Sequence, residues 1–321
     1  LPAQLQIGTL KDRQTLARQR LVAGNSGDSH SNLPWRRLIL GCKQNTDNNR
    51  QNNPMYRIKK SSLRKFIFTP LLAATCLPAF ADSIPAAGGD IEITPLIHSS
   101  VQLEYAGTVV QIDPWGRVGL AGAKVADLIL ITDNPGHHLD PAAIAQLSRP
   151  DTRIVIAANA QPRVPKGIII ANGETVRLAG VTVEAVAAYD IIQGAPEHPK
   201  GEANGYVVTL GGKKLYFAGV TECVAEVKAL KGIDVAFLPM NVPLGRMTPA
   251  AAAECTRLLN PSVVYSYHYD QDYARRAVTP DYEGPGLPGG ISVDESLDLF
   301  DAALAGSGIE SRRANWYPPL N

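Results

Sequence analysis

The chain has no strong net charge, no long apolar run and few cysteines. Its 31 basic and 30 acidic residues nearly cancel, so nothing indicates a nucleic-acid footprint. Only Cys223 and Cys255 lie beyond residue 81, and two cysteines do not make a disulfide framework. They could pair in an oxidising compartment or remain buried thiols, and we favour buried thiols. No period of about 20–50 residues repeats along the sequence.

The segment 55–81 has the pattern of a secretory leader. Met55 begins a basic stretch, an apolar stretch covers 66–77, and Ala79-Phe80-Ala81 forms a small-residue cleavage site. The apolar stretch is shorter than the ~20 residues that a transmembrane helix needs. We therefore predict a signal peptide, a periplasmic or secreted mature protein and no stable membrane span after cleavage. A membrane anchor or lipidation at Cys76 are the alternatives.

Residues 1–54 precede this leader and are rich in Gln, Asn and Arg, without a lasting hydrophobic period. We interpret them as a non-native segment upstream of a start at Met55, or as a disordered extension. Residues 82–321 have the size of one α/β domain. The predicted organisation is therefore 1–54, 55–81 and a single domain at 82–321.

Apolar patterning in this domain predicts two strand-rich halves, each followed by helices. Alternation predicts hairpins that pair 101–105 with 109–113 and 205–210 with 213–218. The wholly apolar run 126–131 predicts a buried strand. Two sheets packed face to face, with helices outside, follow from this order.

Helices are predicted mostly from their first residues. Asp140 and Thr248 each precede a proline, which is typical of a helix start. Two further amphipathic segments, 222–230 and 297–305, are also predicted to be helical.

The turn after the strand 126–131 carries acid and imidazole groups, an arrangement typical of metallohydrolases. It reads Thr132-Asp133-Asn134-Pro135-Gly136-His137-His138-Leu139-Asp140-Pro141. Elsewhere in the domain, most histidines also fall at strand ends or in loops, where a rigid strand can hold a ligand. These other histidines are His98, His198 and His268.

This turn resembles the T-H-x-H-x-D-H-L-D-P signature of the metallo-β-lactamase superfamily, and in particular the branch that contains ascorbate-6-phosphate lactonase. Five other pieces occur in matching order between residues 91 and 270. They are His98-Ser99-Ser100-Val101, Ile112-Asp113-Pro114-Trp115, His198 before Gly205-Tyr206-Val207, Phe217-Ala218-Gly219-Val220-Thr221-Glu222, and Tyr265-Ser266-Tyr267-His268-Tyr269. The resemblance implies an α/β fold, the αββα sandwich of the metallo-β-lactamase type.

The resemblance also implies that half of a two-metal site has been lost. The positions that hold one metal in such proteins read Asp133, Pro135 and His198 here, and a proline side chain cannot coordinate. The bridging aspartate of the family is Val220. We predict that Asp133 and His198 instead act as a catalytic acid/base pair or as groups that support the metal ligands.

The positions of the second metal read His137, His138 and His268. Three neutral imidazoles with an open fourth position are the ligand set of a catalytic zinc. Zinc lowers the pKa of its water to about 7, which makes hydroxide available at neutral pH. We therefore predict one zinc ion at these three histidines.

Structural roles are the alternatives for these residues. One histidine of the turn could cap backbone groups, Asp133 could accept backbone N–H bonds, and His198 could be a solvated loop residue. We expect His98 to support the sheet edge and Asp113 to shape a turn or orient a residue of the motif.

We interpret the chain as a periplasmic hydrolase that acts on a small-molecule ester, lactone or phosphoester through a metal-bound hydroxide. Tyr267 or Tyr269 would line the pocket, and the loops 189–202 and 273–290 would form its walls, the second as a lid or oligomer contact. The alternative is a metal-free pseudoenzyme that binds a small ligand or a protein. A β-lactamase that acts on antibiotics is a third, less favoured interpretation.

Overall fold

The structure is a computed structural model that describes residues 82–191, 198–240, 246–284 and 291–320. The predicted signal peptide and the segment 1–54 lie outside these ranges, as do parts of both predicted wall loops. Within them, no helix combines the length and the hydropathy needed to cross a bilayer.

The described residues form fourteen strands, five α-helices and one short 3-10 helix, Ala158–Ala160. The strands are β1 (Asp82–Ile84), β2 (Ile91–Ile97), β3 (Ser100–Tyr105), β4 (Thr108–Ile112), β5 (Leu128–Ile131), β6 (Arg153–Ile156), β7 (Ile168–Ile169), β8 (Thr175–Leu178), β9 (Val181–Ala188), β10 (Ala203–Leu210), β11 (Lys213–Phe217), β12 (Val235–Pro239), β13 (Val263–Tyr267) and β14 (Glu310–Arg312). The helices are α1 (Pro141–Leu147), α2 (Ala225–Ala229), α3 (Pro249–Leu259), α4 (Gln271–Val278) and α5 (Val293–Leu304).

In the described part of the chain the strands build two seven-stranded sheets, β1 to β7 and β8 to β14, each in sequence order. Each sheet begins with antiparallel pairs and continues with parallel ones. Residues of both sheets share one apolar core. The predicted αββα sandwich is confirmed.

Strand β5 shows why the run at 126–131 is apolar throughout. Leu128 and Leu130 face the core shared by the two sheets, whereas Ile129 and Ile131 pack with Leu139 and other residues in a second cluster. A strand of a parallel sheet that is covered on both faces has no polar side, and its sequence therefore does not alternate.

Both predicted hairpins are confirmed, as β3–β4 and β10–β11. Helices α1 and α3 begin at the predicted prolines. The Asp140 carboxylate accepts from the backbone N–H groups of Ala142 and Ala143, and the Thr248 hydroxyl accepts from that of Ala251.

The other helices differ from prediction. Helix α2 covers only 225–229, and α5 begins at Val293 because Ser292 caps it, four residues earlier than predicted. Helix α4 lies partly within the segment predicted as a wall loop. No apolar pattern marks this helix because its sequence is polar. Its start is marked only by the N-cap Asp270, which accepts from the backbone N–H of Tyr273.

The preference for buried thiols was wrong, because Cys223 and Cys255 form a disulfide. Cys255 lies on α3, and Cys223 lies in the segment between β11 and α2. The fold brings their Cα atoms to 5.7 Å, within the usual range for a disulfide.

Candidate metal centre

The candidate site lies where loops from one edge of each sheet meet. In the first sheet, β2 and β4 end at the same edge because both are antiparallel to β3, and β5 runs parallel to β4. His98 lies in the turn after β2, Asp113 follows β4, and His137 and His138 lie between β5 and α1. His268 follows β13 of the second sheet. The topology therefore explains how residues 170 positions apart come together.

Asp113 anchors the histidine-bearing turn. Its carboxylate accepts from the backbone N–H of Thr132 at 2.7 Å, from the Thr132 hydroxyl at 2.6 Å and from Nδ1 of His138 at 2.7 Å. Both side chains of the Asp113–His138 pair are fully buried. A histidine that donates from Nδ1 to a carboxylate presents the Nε2 lone pair, as metal-ligating histidines usually do. Asp113 thus orients a residue of the motif, one of the two roles expected from the sequence.

His138 and His268 face each other through their Nε2 atoms, which lie 3.1 Å apart. Two nitrogens bound to one tetrahedral zinc at about 2.05 Å would be separated by about 3.3 Å. The side-chain amide of Gln271 lies 2.8 Å from Nδ1 of His268. If its NH2 group donates there, His268 carries its proton on Nε2 and bonds to His138. The reversed amide would accept from Nδ1 and free Nε2 for a ligand.

His98 and His137 complete a cluster of four imidazoles. One ligand atom each from His98, His137 and His268 lies within 4.8 Å of the others. The ring centroids of His137 and His138 are 4.5 Å apart, and those of His137 and His268 are 5.3 Å apart. His98 was expected to support the sheet edge. Its carbonyl does accept from the His268 N–H, but its ring lies in the cluster.

The cluster favours neutral imidazoles. Burial, with the neighbouring histidines as a smaller cause, lowers the pKa of His98 and that of His268 well below the usual value. Burial, followed by the charge of His138, lowers the pKa of His137 to about 3. Neutral imidazole is the form that binds metals.

The residues present fit a transition metal. Nε2 of His98 is buried without a hydrogen-bond partner among the described residues, so it is available as a ligand. His98 and His268 also have left-handed backbone conformations, with φ of 57° and 54°. Non-glycine residues adopt this conformation at a cost, and such strain clusters at functional sites. An all-imidazole cluster suits zinc, iron, copper or nickel better than magnesium or calcium.

A second network occupies the side that the resemblance assigns to the other metal. Nε2 of His198 lies 3.3 Å from the Asp133 carboxylate, and Nδ1 of His198 lies 3.2 Å from that of Asp190. Arg246 pairs with the same Asp190 oxygen at 3.1 Å. The Asn159 amide donates to Asp133 at 2.9 Å. The imidazole of His198 thus lies between two buried carboxylates, and Arg246 contacts one of them.

The charges in this network are coupled. Burial by itself would raise the pKa of Asp133, but the hydrogen bond from His198 and other interactions lower it to about 2. Burial opposes the charged form of His198, but its interactions with Asp133 and Asp190 raise its pKa above the usual value. The pair therefore favours a carboxylate beside an imidazolium.

The predicted site residues lie in two groups: the histidines 137, 138 and 268, whose ring centroids are 4.5 to 5.3 Å apart, and the pair Asp133 and His198. The three ligand atoms that all lie within 4.8 Å of one another belong to His98, His137 and His268, so His98 stands in this group in place of His138. Pro135 is exposed, and Val220 is a buried core residue. The pocket role predicted for Tyr267 was wrong, because its side chain is fully buried and its hydroxyl accepts from the Gly219 N–H at 2.7 Å. Tyr269 packs against Tyr317.

Sequence reasoning missed Asp190, Arg246 and Asn159. Asp190 follows β9 and stands eight residues before His198, and this spacing could have indicated a partner. Arg246 and Asn159 carry no local signal because each reaches the network from a distant part of the chain.

The fold and the position of the site agree with comparisons to known proteins. Residues 92–268 match the family model described as the beta-lactamase superfamily domain. The chain therefore belongs to the metallo-β-lactamase superfamily.

Among curated relatives, a protein of Thermus thermophilus named UPF0173 metal-dependent hydrolase is 31% identical over 221 residues, which cover 62% of this chain and 97% of the relative. A protein of the same name from Enterococcus faecalis is 33% identical over 201 residues, covering 54% of this chain and 84% of the relative.

Solved structures agree in fold. A protein from Parabacteroides distasonis, named as a metal-dependent hydrolase, superposes with a TM-score of 0.62 at 34% identity and covers 73% of this chain and 98% of its own. A metallo-hydrolase from Ignicoccus hospitalis gives a TM-score of 0.53 at 21% identity, covering 71% and 96% of the two chains.

Proposed function

We propose that the protein is a metal-dependent hydrolase with a single metal ion, zinc, among the imidazoles of His137, His138 and His268. The observation that carries this proposal is the 3.1 Å separation of the His138 and His268 Nε2 atoms, with His138 oriented by Asp113. Relatives named as metal-dependent hydrolases support the reaction type. Pro135 and Val220 support a mononuclear site, because neither side chain can coordinate.

A bound ion supplies Lewis acidity, which polarises a substrate oxygen and makes water more acidic near neutral pH. Residues of the chain itself supply the proton that the leaving group needs. His198 carries a raised pKa beside Asp133, so it holds a proton that it can donate to a leaving group. Asp190 accepts from the His198 ring and from its backbone N–H, which holds the imidazole in place.

The substrate class that we propose is an ester, a lactone or a phosphoester of a small molecule. The similarity to the lactonase branch favours the lactone. We also propose that the protein acts in the periplasm after removal of residues 55–81. The Cys223–Cys255 disulfide supports an oxidising compartment, where such bonds persist.

Metal analysis of the purified protein tests the proposal. We expect about one zinc per chain, and we expect His138→Ala and His268→Ala to lose it, because each removes a ligand. His198→Gln should retain the metal but lower hydrolysis about 10²- to 10⁴-fold, the usual range for a general acid. Hydrolysis would be measured on aryl ester, lactone, aryl phosphate and nitrocefin substrates.

The opposite outcome is equally informative. A folded protein that binds no metal and turns over none of these substrates would contradict the hydrolase and favour the metal-free binding module. If both the His138→Ala and His268→Ala variants retain the metal, the ion binds elsewhere in the protein.

A further inference from the structure

His98 has a buried ring nitrogen that the proposed ligand set does not use. Its Nε2 has no hydrogen-bond partner among the described residues, although the side chain is completely buried. A buried polar atom without a hydrogen-bond partner destabilises the fold. The residue also has a φ of 57°, so the fold maintains an unfavourable backbone conformation to place this ring.

The C-terminal segment holds the other side of the His98 ring. The Tyr317 hydroxyl lies 3.1 Å from Nδ1 of His98 and accepts from the backbone N–H of Asp270 at 2.9 Å. The carbonyl of Trp316 accepts from the His98 backbone N–H at 2.9 Å. Tyr317 packs between Tyr269 and Tyr273, with ring centroids at 4.8 and 4.9 Å. The hydroxyl is therefore a fixed hydrogen-bond partner.

This contact is compatible with either tautomer of His98, because the Tyr317 hydroxyl can donate to Nδ1 or accept from Nδ1–H, and a metal ion at Nε2 would select the second arrangement. A hydroxyl oxygen that already accepts one N–H bond has a second lone pair for Nδ1–H. With its proton on Nδ1, His98 presents the Nε2 lone pair on the side of the ring away from Tyr317. Metal-ligating histidines commonly use such a hydrogen bond from the second ring nitrogen.

The rings of His98 and His138 have the same two neighbours in the cluster. His137 and His268 adjoin both: the centroid of His98 lies 5.2 Å from that of His137 and 3.9 Å from that of His268. The centroid of His138 lies 4.5 and 5.0 Å from the same two rings. The ligand atoms of His98, His137 and His268 also lie within 4.8 Å of one another.

We propose that His98 is a fourth imidazole ligand of the metal and that Tyr317 is its positioning residue. This inference rests on the proposed function, because it concerns the same ion. It explains how the chain can hold a metal without a ligand at Pro135 or Val220. Four imidazoles fill a tetrahedral shell, so a position for solvent requires a five-coordinate ion, which zinc tolerates.

X-ray absorption and chelator competition on the zinc-loaded full chain test this ligand set. We expect four imidazoles per zinc in the unsubstituted protein and three in His98→Asn, with an affinity at least about tenfold weaker. Asparagine is the chosen replacement because it tolerates the left-handed conformation better than most residues. Circular dichroism would verify that the variant is folded.

A matched pair of tyrosine variants tests the positioning role. Tyr317→Phe should weaken zinc binding about 10- to 100-fold, the usual effect of losing a hydrogen bond to a ligand. Tyr269→Phe removes a hydroxyl from the same aromatic group without touching His98 and should leave the affinity unchanged. Equal affinities in both variants would overturn the role of Tyr317.

The outcomes separate this inference from the proposed function. A protein that binds one zinc with the same imidazole count and affinity in His98→Asn would overturn the fourth ligand and leave the hydrolase standing. An unsubstituted protein that binds no zinc would overturn both.

Discussion

At the residue scale, the site divides into an imidazole cluster and a network of opposite charges. The network of Asp133, His198, Asp190 and Arg246 is almost entirely buried. Two carboxylates without partners would be costly in such surroundings, and the cationic side chains offset that cost. In this chain, His198 and Arg246 contact these carboxylates on the side that the family resemblance assigns to one of the two metals.

The coupling of His198 to Asp133 predicts a pH-dependent contribution to stability. Because the folded pKa of His198 is raised, its contribution is fully present below the unfolded value of 6.5 and is lost as pH rises through the folded pKa. Because the folded pKa of Asp133 is about 2, its contribution is lost only as pH falls from 3.8 through about 2. The pair should therefore stabilise the fold most between about pH 4 and 6.5.

We expect Asp133→Asn to lower the free energy of unfolding by about 1–3 kcal/mol at pH 5.5 and by less at pH 9.5. Urea unfolding of metal-free protein would measure both values. Asp281→Asn, an exposed aspartate, serves as the control and should change neither. A difference for Asp133→Asn that is constant between the two pH values would contradict the coupling.

At the element scale, strands deliver the site residues and short connections hold them. The segment after β11 carries Gly219, whose N–H donates to Tyr267, and Thr221, whose hydroxyl accepts from the Tyr189 N–H. The Cys223–Cys255 disulfide then joins this segment to α3. The bond therefore limits movement of a segment that borders the site.

Removing the disulfide should destabilise the fold measurably. In the chain-entropy account, a disulfide between cysteines 32 positions apart raises the free energy of unfolding by about 3–4 kcal/mol. We expect the variant with both Cys223→Ser and Cys255→Ser to lose about 2–4 kcal/mol of unfolding free energy in urea. A reducing agent should lower the stability of the unsubstituted protein but not that of the variant. Peptide mapping without reduction that recovers these two cysteines as free thiols would refute the bond.

At the scale of the whole molecule, the two sheets depend on a common core. Phe237 of β12 is fully buried and stacks on Phe217 at 4.4 Å and on Tyr265 at 4.8 Å between ring centroids. The same core includes Val101, Val110 and other residues of the first sheet. Loss of packing in one sheet should therefore weaken the entire fold.

We expect Phe237→Ala to lower the free energy of unfolding by about 3–5 kcal/mol, as is usual when a buried aromatic is truncated. Near- and far-ultraviolet circular dichroism should report one coincident transition. Leu299→Ala, at a half-exposed position on α5, should change stability by no more than about 0.5 kcal/mol. Two separate transitions would show that the sheets unfold independently.

Local patterns were sufficient for much of the fold. The apolar run of β5, the cap at Asp140 and the two hairpins depend on neighbouring residues, and each was predicted within a few positions. The sequence did not predict helix α4, because the helix is polar and its amphipathic face is short. The sequence did not predict the disulfide, because pairing depends on the distance between Cys223, in the segment after β11, and Cys255 of α3, 32 residues further along the chain.

The candidate site was only partly visible in the sequence. His137 and His138 share a turn with a family-like motif, so they could be selected together, and His268 follows a clear strand. The ring position of His98 depends on Tyr317, 219 residues away, and the Asp190–Arg246 pair joins two separate loops. Such contacts have no local pattern.

The sequence by itself determined most of the elements and their order, because hydrophobic period and capping act between near neighbours, and its motifs indicated the class of fold through the family resemblance. Only the tertiary structure decided which imidazoles share a cluster, which nitrogen each presents and which charges pair. Those outcomes depend on distances of a few ångströms between strands of different sheets, and the packing of the whole core sets them.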